Sequence, residues 1–262
     1  MRGLDNPGPS GYIAIVSPLT AEFLGTAILI VLGDGVVANV LLNKSKGQNA
    51  GWMVITTGWA FAVFVAVYAT ARISGAHLNP AVSVALAVTG AFAWPLVPGY
   101  IAAQMLGAFA GAVVVWLAYL PHWKETEGAD AKRAIFCTAP AIRHAPANFL
   151  CEFIATFVFI LGLLTIKGAV ENPLSPASVP IDLGALGALP VALLVWAIGL
   201  SLGGPTGYAI NPARDLGPRL AHAILPIAGK SHSDWPYAWI PVLAPIAGAA
   251  SGAGLYLAVG KF

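Results

Sequence analysis

Ser74-Gly75-Ala76-His77-Leu78-Asn79-Pro80-Ala81 and Thr206-Gly207-Tyr208-Ala209-Ile210-Asn211-Pro212-Ala213 are two copies of one frame, Gly-x-x-x-Asn-Pro-Ala. Asn211 follows Asn79 by 132 positions. Each copy reads as an irregular loop running into the start of a helix. Asn suits the N-cap, because its side-chain oxygen accepts a backbone N–H that has no partner inside the helix. Pro suits the next position, where a missing donor costs nothing. The Asn amide then keeps its N–H groups free for another acceptor.

The duplication extends beyond the loops. Glu22-Phe23-Leu24-Gly25-Thr26 recurs as Glu152-Phe153-Ile154-Ala155-Thr156, 130 positions on. Gly107-Ala108-Phe109-Ala110-Gly111-Ala112 recurs as Gly248-Ala249-Ala250-Ser251-Gly252-Ala253, 141 positions on. Three matches in one order define two homologous halves. Interrupted apolar segments at equivalent places in two repeats point to a site at the repeat interface.

The chain is 58% hydrophobic and 9% charged, against roughly 25% charged in soluble domains. Residues 73–123, 183–213 and 235–260 hold no Asp, Glu, Lys or Arg. Apolar stretches of about 20 residues read as membrane-spanning helices, so the lipid bilayer is the surroundings. The net charge of +2 makes no case for nucleic acid. Cys137 and Cys151 have neither metal spacing nor a disulfide framework and read as neutral packing residues. No cofactor is implied. Residues 1–16 lack the pattern of a cleaved signal peptide.

The fold expected is an all-α membrane protein: six transmembrane helices plus two half-helices, in two inverted repeats. The spans run from Leu19 to Leu42, Gly51 to Ala71, Leu96 to Leu120, Phe149 to Ile166, Leu183 to Leu202, and Pro236 to Gly260. Pro80 to Thr89 and the stretch from Pro212 to Leu225 form the half-helices, the first about half the membrane thickness. Residues 17–120 make repeat 1, residues 121–148 a polar connecting loop, and residues 149–260 repeat 2 of a single channel domain. Three spans per half give the halves opposite orientations. Gly107/Gly111 and Gly248/Gly252 are small-xxx-small pairs that let helix backbones approach.

Backbone at membrane depth must be hydrogen-bonded or line a cavity that holds water. Inverted halves bring the two loops together near the midplane, with two positive helix N-termini aimed at one place. The carbonyls of Gly75, Ala76, His77 and Leu78, with those of Gly207, Tyr208, Ala209 and Ile210, then form a ladder of acceptors. Donors at the centre and acceptors on either side suit a line of hydroxyl groups. Glu22 and Glu152 are costly in a membrane and are read as acceptors for loop N–H groups, holding the loops in shape. His77 stands alone among apolar residues and reads as a pore-facing hydrogen-bonding group, not a metal ligand. Asp34, between Gly33 and Gly35, takes no role from its pattern and is placed toward the outer interface.

Arg214 lies three residues after Asn211, on a similar helix face. Its repeat mate is Val82, and that of Tyr208 is Ala76. A cation and an aromatic in one half only suggest a constriction at one mouth. The bland alternative for Arg214 is a structural salt bridge with Asp215.

In these features the chain resembles the aquaporin family over essentially its whole length, and the glycerol-facilitator branch most. The twin Asn-Pro-Ala loops, the Glu-Phe-x-x-Thr repeats and Asn211-Pro212-Ala213-Arg214 carry the resemblance. Asp215, Arg219 and Pro241-Val242 are similar to the glycerol branch. The resemblance implies a selectivity filter of Trp59, Gly199, Tyr208 and Arg214. Water-specific members typically have His where this chain has Gly199, and the best-known glycerol facilitators have Phe where it has Tyr208. It also implies a homotetramer with one pore per subunit, in the cell membrane with cytoplasmic termini. The substrates implied are glycerol and water, with other small polyols, urea and undissociated lactic acid as further candidates, and protons and ions excluded.

The charge pattern argues the other way on topology. That orientation places Lys44, Lys46, Lys124, Lys132, Arg133, Arg143 and Lys230 outside, against Arg2, Arg72, Lys167 and Lys261 inside, contrary to the positive-inside rule. The competing function is an ion-coupled secondary transporter, for which Glu22, Asp34 and Glu152 are the available coupling acids. A membrane protein without a pore is the third reading, opposed by Asn79, Asn211 and Arg214. No nucleophile–base pair or metal cluster suggests an enzyme.

Overall fold

The computed structural model describes residues 16–166 and 183–260, and every regular element among them is a helix. Ten α-helices follow in order. They are α1 (Pro18–Leu41), α2 (Trp52–Ser74), α3 (Pro80–Val88), α4 (Val97–Ala118), α5 (His122–Glu125), α6 (Ala129–Phe136), α7 (Ala145–Thr165), α8 (Leu189–Ser201), α9 (Pro212–Ile224) and α10 (Ile240–Ala258). Tight 3-10 turns lead into α4, α8 and α10. With those turns included, six helical segments of 18 to 25 residues are long and apolar enough to cross a membrane. At about 1.5 Å per residue, 20 residues cover the roughly 30 Å hydrocarbon core. α3 and α9, with 9 and 13 residues, cannot.

Each helix start has a chemical cause. Ser17 caps α1 by accepting from the Thr20 N–H at 3.1 Å, with Pro18 opening the helix. α7 begins at Ala145, four residues before the expected Phe149, because the His144 ring nitrogen accepts the Ala147 N–H at 3.2 Å and Pro146 sits in the first turn. α2 runs to Ser74, beyond the expected Ala71, and is closed by left-handed Gly75, whose N–H bonds the Ala71 carbonyl.

The long helices pack as the small-residue pattern requires. A Cβ at Gly111 would sit 2.7 Å from the Ala27 carbonyl oxygen of α1, and one at Gly252 would sit 2.9 Å from that of Phe157 on α7. Gly107 and Gly248 press as tightly on the carbonyls of Phe23 and Phe153. α1 with α4, and α7 with α10, are therefore the same close pair in each half. The halves also exchange parts. α3, from the first half, packs extensively on α10 of the second, and α9, from the second, on α4 of the first. Gly217 of α9 makes that contact possible: a Cβ there would meet the Met105 carbonyl at 3.1 Å. Outward faces stay apolar, with Phe61, Leu106 and Leu150 exposed, as a lipid-facing surface requires.

The connecting segment is more ordered than its polar composition suggests. Within residues 121–148, α5 and α6 fold back onto the bundle. α6 packs on α1 and α9, burying Ile135 and Phe136 completely. Trp123 stacks on Phe136 with ring centroids 5.7 Å apart. Lys132 is 2% exposed and donates to the Ala228 carbonyl. The Pro/Gly-rich lead up to residue 15, the loop 167–182 and residues 261–262, which carry Arg2, Lys167 and Lys261, lie outside the described residues.

Candidate functional site

The two Asn-Pro-Ala loops have the same backbone. Gly75, Ala76 and Leu78 have φ of 83°, 49° and 51°; Gly207, Tyr208 and Ile210, each 132 positions later, have φ of 83°, 38° and 43°. Left-handed conformations on Ala, Leu, Tyr and Ile are costly, of the order of 1–3 kcal/mol each, and persist only where the surroundings impose them. The imposing groups are the two glutamates. Glu22, fully buried, accepts the backbone N–H of His77 at 2.9 Å and of Leu78 at 2.7 Å. Glu152, also fully buried, accepts those of Ala209 at 2.9 Å and Ile210 at 3.0 Å. Bonds from N–H groups to a carboxylate are the strong kind.

The first carboxylate has two further donors. Ser74 donates to it at 2.6 Å and the Gln104 amide at 2.8 Å. Gln104 also donates to Ser83, which bonds the His77 ring at 3.0 Å, and the Tyr100 hydroxyl donates to the Ser74 carbonyl at 2.9 Å. Sequence reading missed this network. Its signal was present: Gln104 is the sole Gln in the uncharged stretch 73–123.

The half-helices α3 and α9 start face to face, and the asparagines bind them. Asn79 caps α3 by accepting the Ala81 N–H at 2.8 Å. Asn211 caps α9 by accepting those of Ala213 at 3.0 Å and Arg214 at 3.2 Å. Each amide also donates across the centre: Asn79 to the Ile210 carbonyl at 2.9 Å, Asn211 to the Leu78 carbonyl at 2.8 Å. The expectation of a wholly free NH2 is thus corrected. One N–H of each amide ties the loops together, and one remains, since an amide carries two.

A cavity of about 290 Å³ runs past these loops. Its polar side is built from Gly75, Ala76, His77, Leu78 and Asn79 with Tyr208, Ala209, Ile210, Asn211 and Arg214. Its apolar side includes Leu29, Val63, Val67, Phe159, Val191 and Val195. Gly207 and Gly199 are not among the lining residues, and neither are Pro80, Ala81, Pro212 and Ala213, which are buried behind the asparagines. His77 lines the cavity with its ring against Phe92 and Tyr100, at 4.6 and 4.8 Å between centroids.

Trp59, Tyr208 and Arg214 meet at one place in this cavity. The Arg214 guanidinium carbon lies 4.1 Å from the centre of the Trp59 ring, a cation–π distance. Gly33 of α1 presses on the Trp59 ring, with no room for a Cβ. Gly199 contributes space instead of a surface: a Cβ there would lie 2.9 Å from Tyr208 Cζ and 3.1 Å from Thr56 Cγ2. The Tyr208 ring fills that space, edge-on to Trp52 at 5.8 Å, and Trp52 in turn donates to the Gly199 carbonyl at 3.0 Å. The Tyr208 hydroxyl is buried with no hydrogen-bond partner among the described residues.

The partners of Arg214 set aside its bland alternative. Arg214 does not pair with Asp215. Adjacent residues on a helix point in different directions, whereas i and i+4 face each other, so Asp215 holds Arg219, with nitrogen–oxygen contacts of 2.8 and 3.0 Å. Asp215 also accepts from the Thr138 N–H at 2.8 Å and hydroxyl at 2.7 Å. Arg219, fully buried, reaches the carbonyls of Ser233, Asp234 and Thr138, which anchors α9 to the surrounding loops. Arg214 instead contacts Asp34, with Nη1 3.5 Å from Oδ1. The side chain of Asp34 is fully buried on α1.

Beyond the bilayer-depth groups, Lys230 closes the far end of α9 by donating to the carbonyls of His222, Ala223 and Leu225 at 2.7 to 2.9 Å. Burial pushes the Cys137 thiol up to about 12, so it stays a neutral packing group. Among the described residues no three His, Cys, Asp or Glu side chains gather as a metal set.

Comparison with known proteins agrees with this geometry. The Major intrinsic protein family matches residues 12–256. A probable glycerol uptake facilitator protein of Thermotoga maritima is 61% identical over 241 residues, 92% of this chain and 98% of that protein. Glycerol uptake facilitator protein 3 of Lactiplantibacillus plantarum is 56% identical over 239 residues, 91% and 95% of the two chains. The X-ray structure of the aquaglyceroporin from Plasmodium falciparum superimposes with a TM-score of 0.76 at 31% identity, covering 91% of this chain and 94% of that one. With the duplicated loops, the crossed asparagines and a match over 245 of its 262 residues, the chain belongs to the major intrinsic protein family.

Proposed function

We propose that the protein is a passive channel for glycerol and water that excludes protons and ions. One observation carries the reading: a single cavity has apolar side chains on part of its wall and two loops of bent backbone, the asparagines and Arg214 on the rest. A polyol has the matching division into CH groups and hydroxyls. In this reading Trp59, Tyr208 and Arg214 form the selectivity filter, and Gly199 is the space that admits the Tyr208 ring. The guanidinium, a planar fork of donors, serves two successive hydroxyls while carbons slide along the aromatics. Small polyols, urea and undissociated lactic acid share the pattern in part. The free N–H of Asn79 and that of Asn211 donate to the passing oxygen between two positive helix ends. Facing half-helix dipoles and an Arg are the barrier to cations in aquaporin-type pores generally.

The ion-coupled alternative needs acids free to take a proton or a cation. Glu22 and Glu152 are occupied by backbone N–H groups, and Asp34 faces Arg214. We further propose one channel domain over the whole chain, a homotetramer with a pore in each subunit, and a place in the cell membrane with cytoplasmic termini. In that orientation several of the outer cations are engaged with other groups of the protein. Lys44 pairs with Glu125, Arg133 with Asp130 and Arg143 with Asp234, while Lys132 and Lys230 bond carbonyls.

Stopped-flow swelling of proteoliposomes tests the function. Glycerol and water flux that does not saturate and ignores an ion gradient is expected. Water flux without glycerol flux, or glycerol uptake that collapses with the gradient, would overturn it. A reporter fused after Phe262 and the mass of the purified protein in detergent test orientation and stoichiometry.

A further inference from the structure

Asp34 is a carboxylate that neither loop uses. Its side chain is fully buried on α1, while the Arg214 side chain is 9% exposed, at the cavity. Asp34 does not line that cavity. One oxygen faces the guanidinium at 3.5 Å, and the other has no hydrogen-bond partner among the described residues. A buried carboxylate is held by a counter-charge, and the ion pair that Asp34 makes among the described residues is with Arg214.

The repeat shows what the pair replaces. The mate of Asp34, 130 positions on, is Leu164; the mate of Arg214, 132 positions back, is Val82. Leu164 and Val82 both line the cavity. Where one end of the symmetric framework carries two apolar side chains, the other carries an acid and a base. Both charges depart from the mate pair, at positions on helices of different halves. Arg214 alone would add a full positive charge to a narrow site beside Trp59, already under the positive ends of α3 and α9. Such a site favours anions as much as it repels cations.

We propose that Asp34 is a specificity-determining residue that acts through Arg214. From behind the guanidinium it offsets the positive charge, so that the constriction offers donors to neutral hydroxyls without drawing anions into the pore. The inference rests on the channel reading above and deepens it. Asp34 touches no permeant; it positions the guanidinium and sets the field there.

The test uses the full-length protein in liposomes, with nitrate as the probe anion. Nitrate flux, with potassium and valinomycin to balance charge, and glycerol flux are measured on the same vesicles. Their ratio cancels differences in folded protein, so a variant with poor yield still reports. For Asp34→Asn and Asp34→Leu the nitrate-to-glycerol ratio is expected to rise at least about tenfold, the scale of one charge–charge contact in a partly hydrated site. The double variant Asp34→Leu with Arg214→Val, which installs an apolar pair like that of the other half, should return the ratio to near the wild-type value. Arg214→Val alone, leaving the carboxylate, should leak potassium instead of nitrate. A wild-type ratio in both Asp34 variants would overturn the inference, as would a double variant that leaks nitrate like the single ones. Wild-type vesicles that carry no glycerol would overturn the channel reading itself, and that result appears before any nitrate is added.

Discussion

The ring of Tyr208 occupies the place that a side chain at Gly199 would take. A Cβ added to Gly199 would lie 2.9 Å from Cζ and 3.1 Å from Cε2 of that ring. The size of residue 199 therefore acts on the pore through Tyr208, which lines the cavity while Gly199 does not.

Gly199→His should consequently cut glycerol flux by about tenfold or more beyond its effect on water, since the imidazole drives the Tyr208 ring toward the lumen. Gly199→Ala should do the same in smaller measure, at a stability cost of about 1–3 kcal/mol from overpacking. Paired glycerol and water swelling rates decide it; an unchanged glycerol rate in Gly199→His would mean that the ring has another place to go.

Tyr208→Phe removes a buried hydroxyl that finds no partner among the described residues. An unpaired buried polar group costs about 1–3 kcal/mol, so the variant should be more stable by about 1 kcal/mol and keep its glycerol flux. Thermal unfolding in detergent is the measurement. A less stable Tyr208→Phe would show that the hydroxyl is satisfied in the native protein.

The two glutamates should differ when neutralised. Glu22 accepts from Ser74, His77, Leu78 and Gln104, whereas Glu152 accepts from the backbone of Ala209 and Ile210 and from the Thr206 side chain. Glu22→Gln turns an NH2 against a crowd of donors and should lose about 3 kcal/mol or more; Glu152→Gln should lose less. Comparing the thermal midpoints of the two variants tests the order, which equal losses would contradict.

Asn79→Asp and Asn211→Asp keep the cap but lose the crossed donor. The new carboxylate would face the Ile210 or Leu78 carbonyl, oxygen to oxygen. Each variant is expected to fold poorly or to conduct at a small fraction of the wild-type rate. Wild-type flux and stability in both would show that the crossed bonds are dispensable.

Much of this was legible in the residues. Asn79-Pro80 and Asn211-Pro212 state their own caps, and the repeat of Glu22 as Glu152 marks two acceptors serving two loops. Uncharged runs fix the spans to within a few residues, because the bilayer sets their length. What was hidden depends on distant approach. Asp34 and Arg214 are 180 positions apart, and no local periodicity links α1 to α9. α6 reads as polar connector because its burial comes from α1 and α9, not from its own composition. The bland alternative for Arg214, a bridge to Asp215, fails because adjacency in sequence is on a helix the wrong measure of contact.

Each half of this protein carries its short helix inside the other: α3 lies on α10, α9 on α4 through Gly217, and the asparagines stitch the centre. A pump built from inverted repeats works by letting one half rock on the other, and it needs a slip plane between them. Interlocking removes that plane. The machine transports by standing still: it keeps no stroke to complete, and its flux follows the gradient wherever the gradient points.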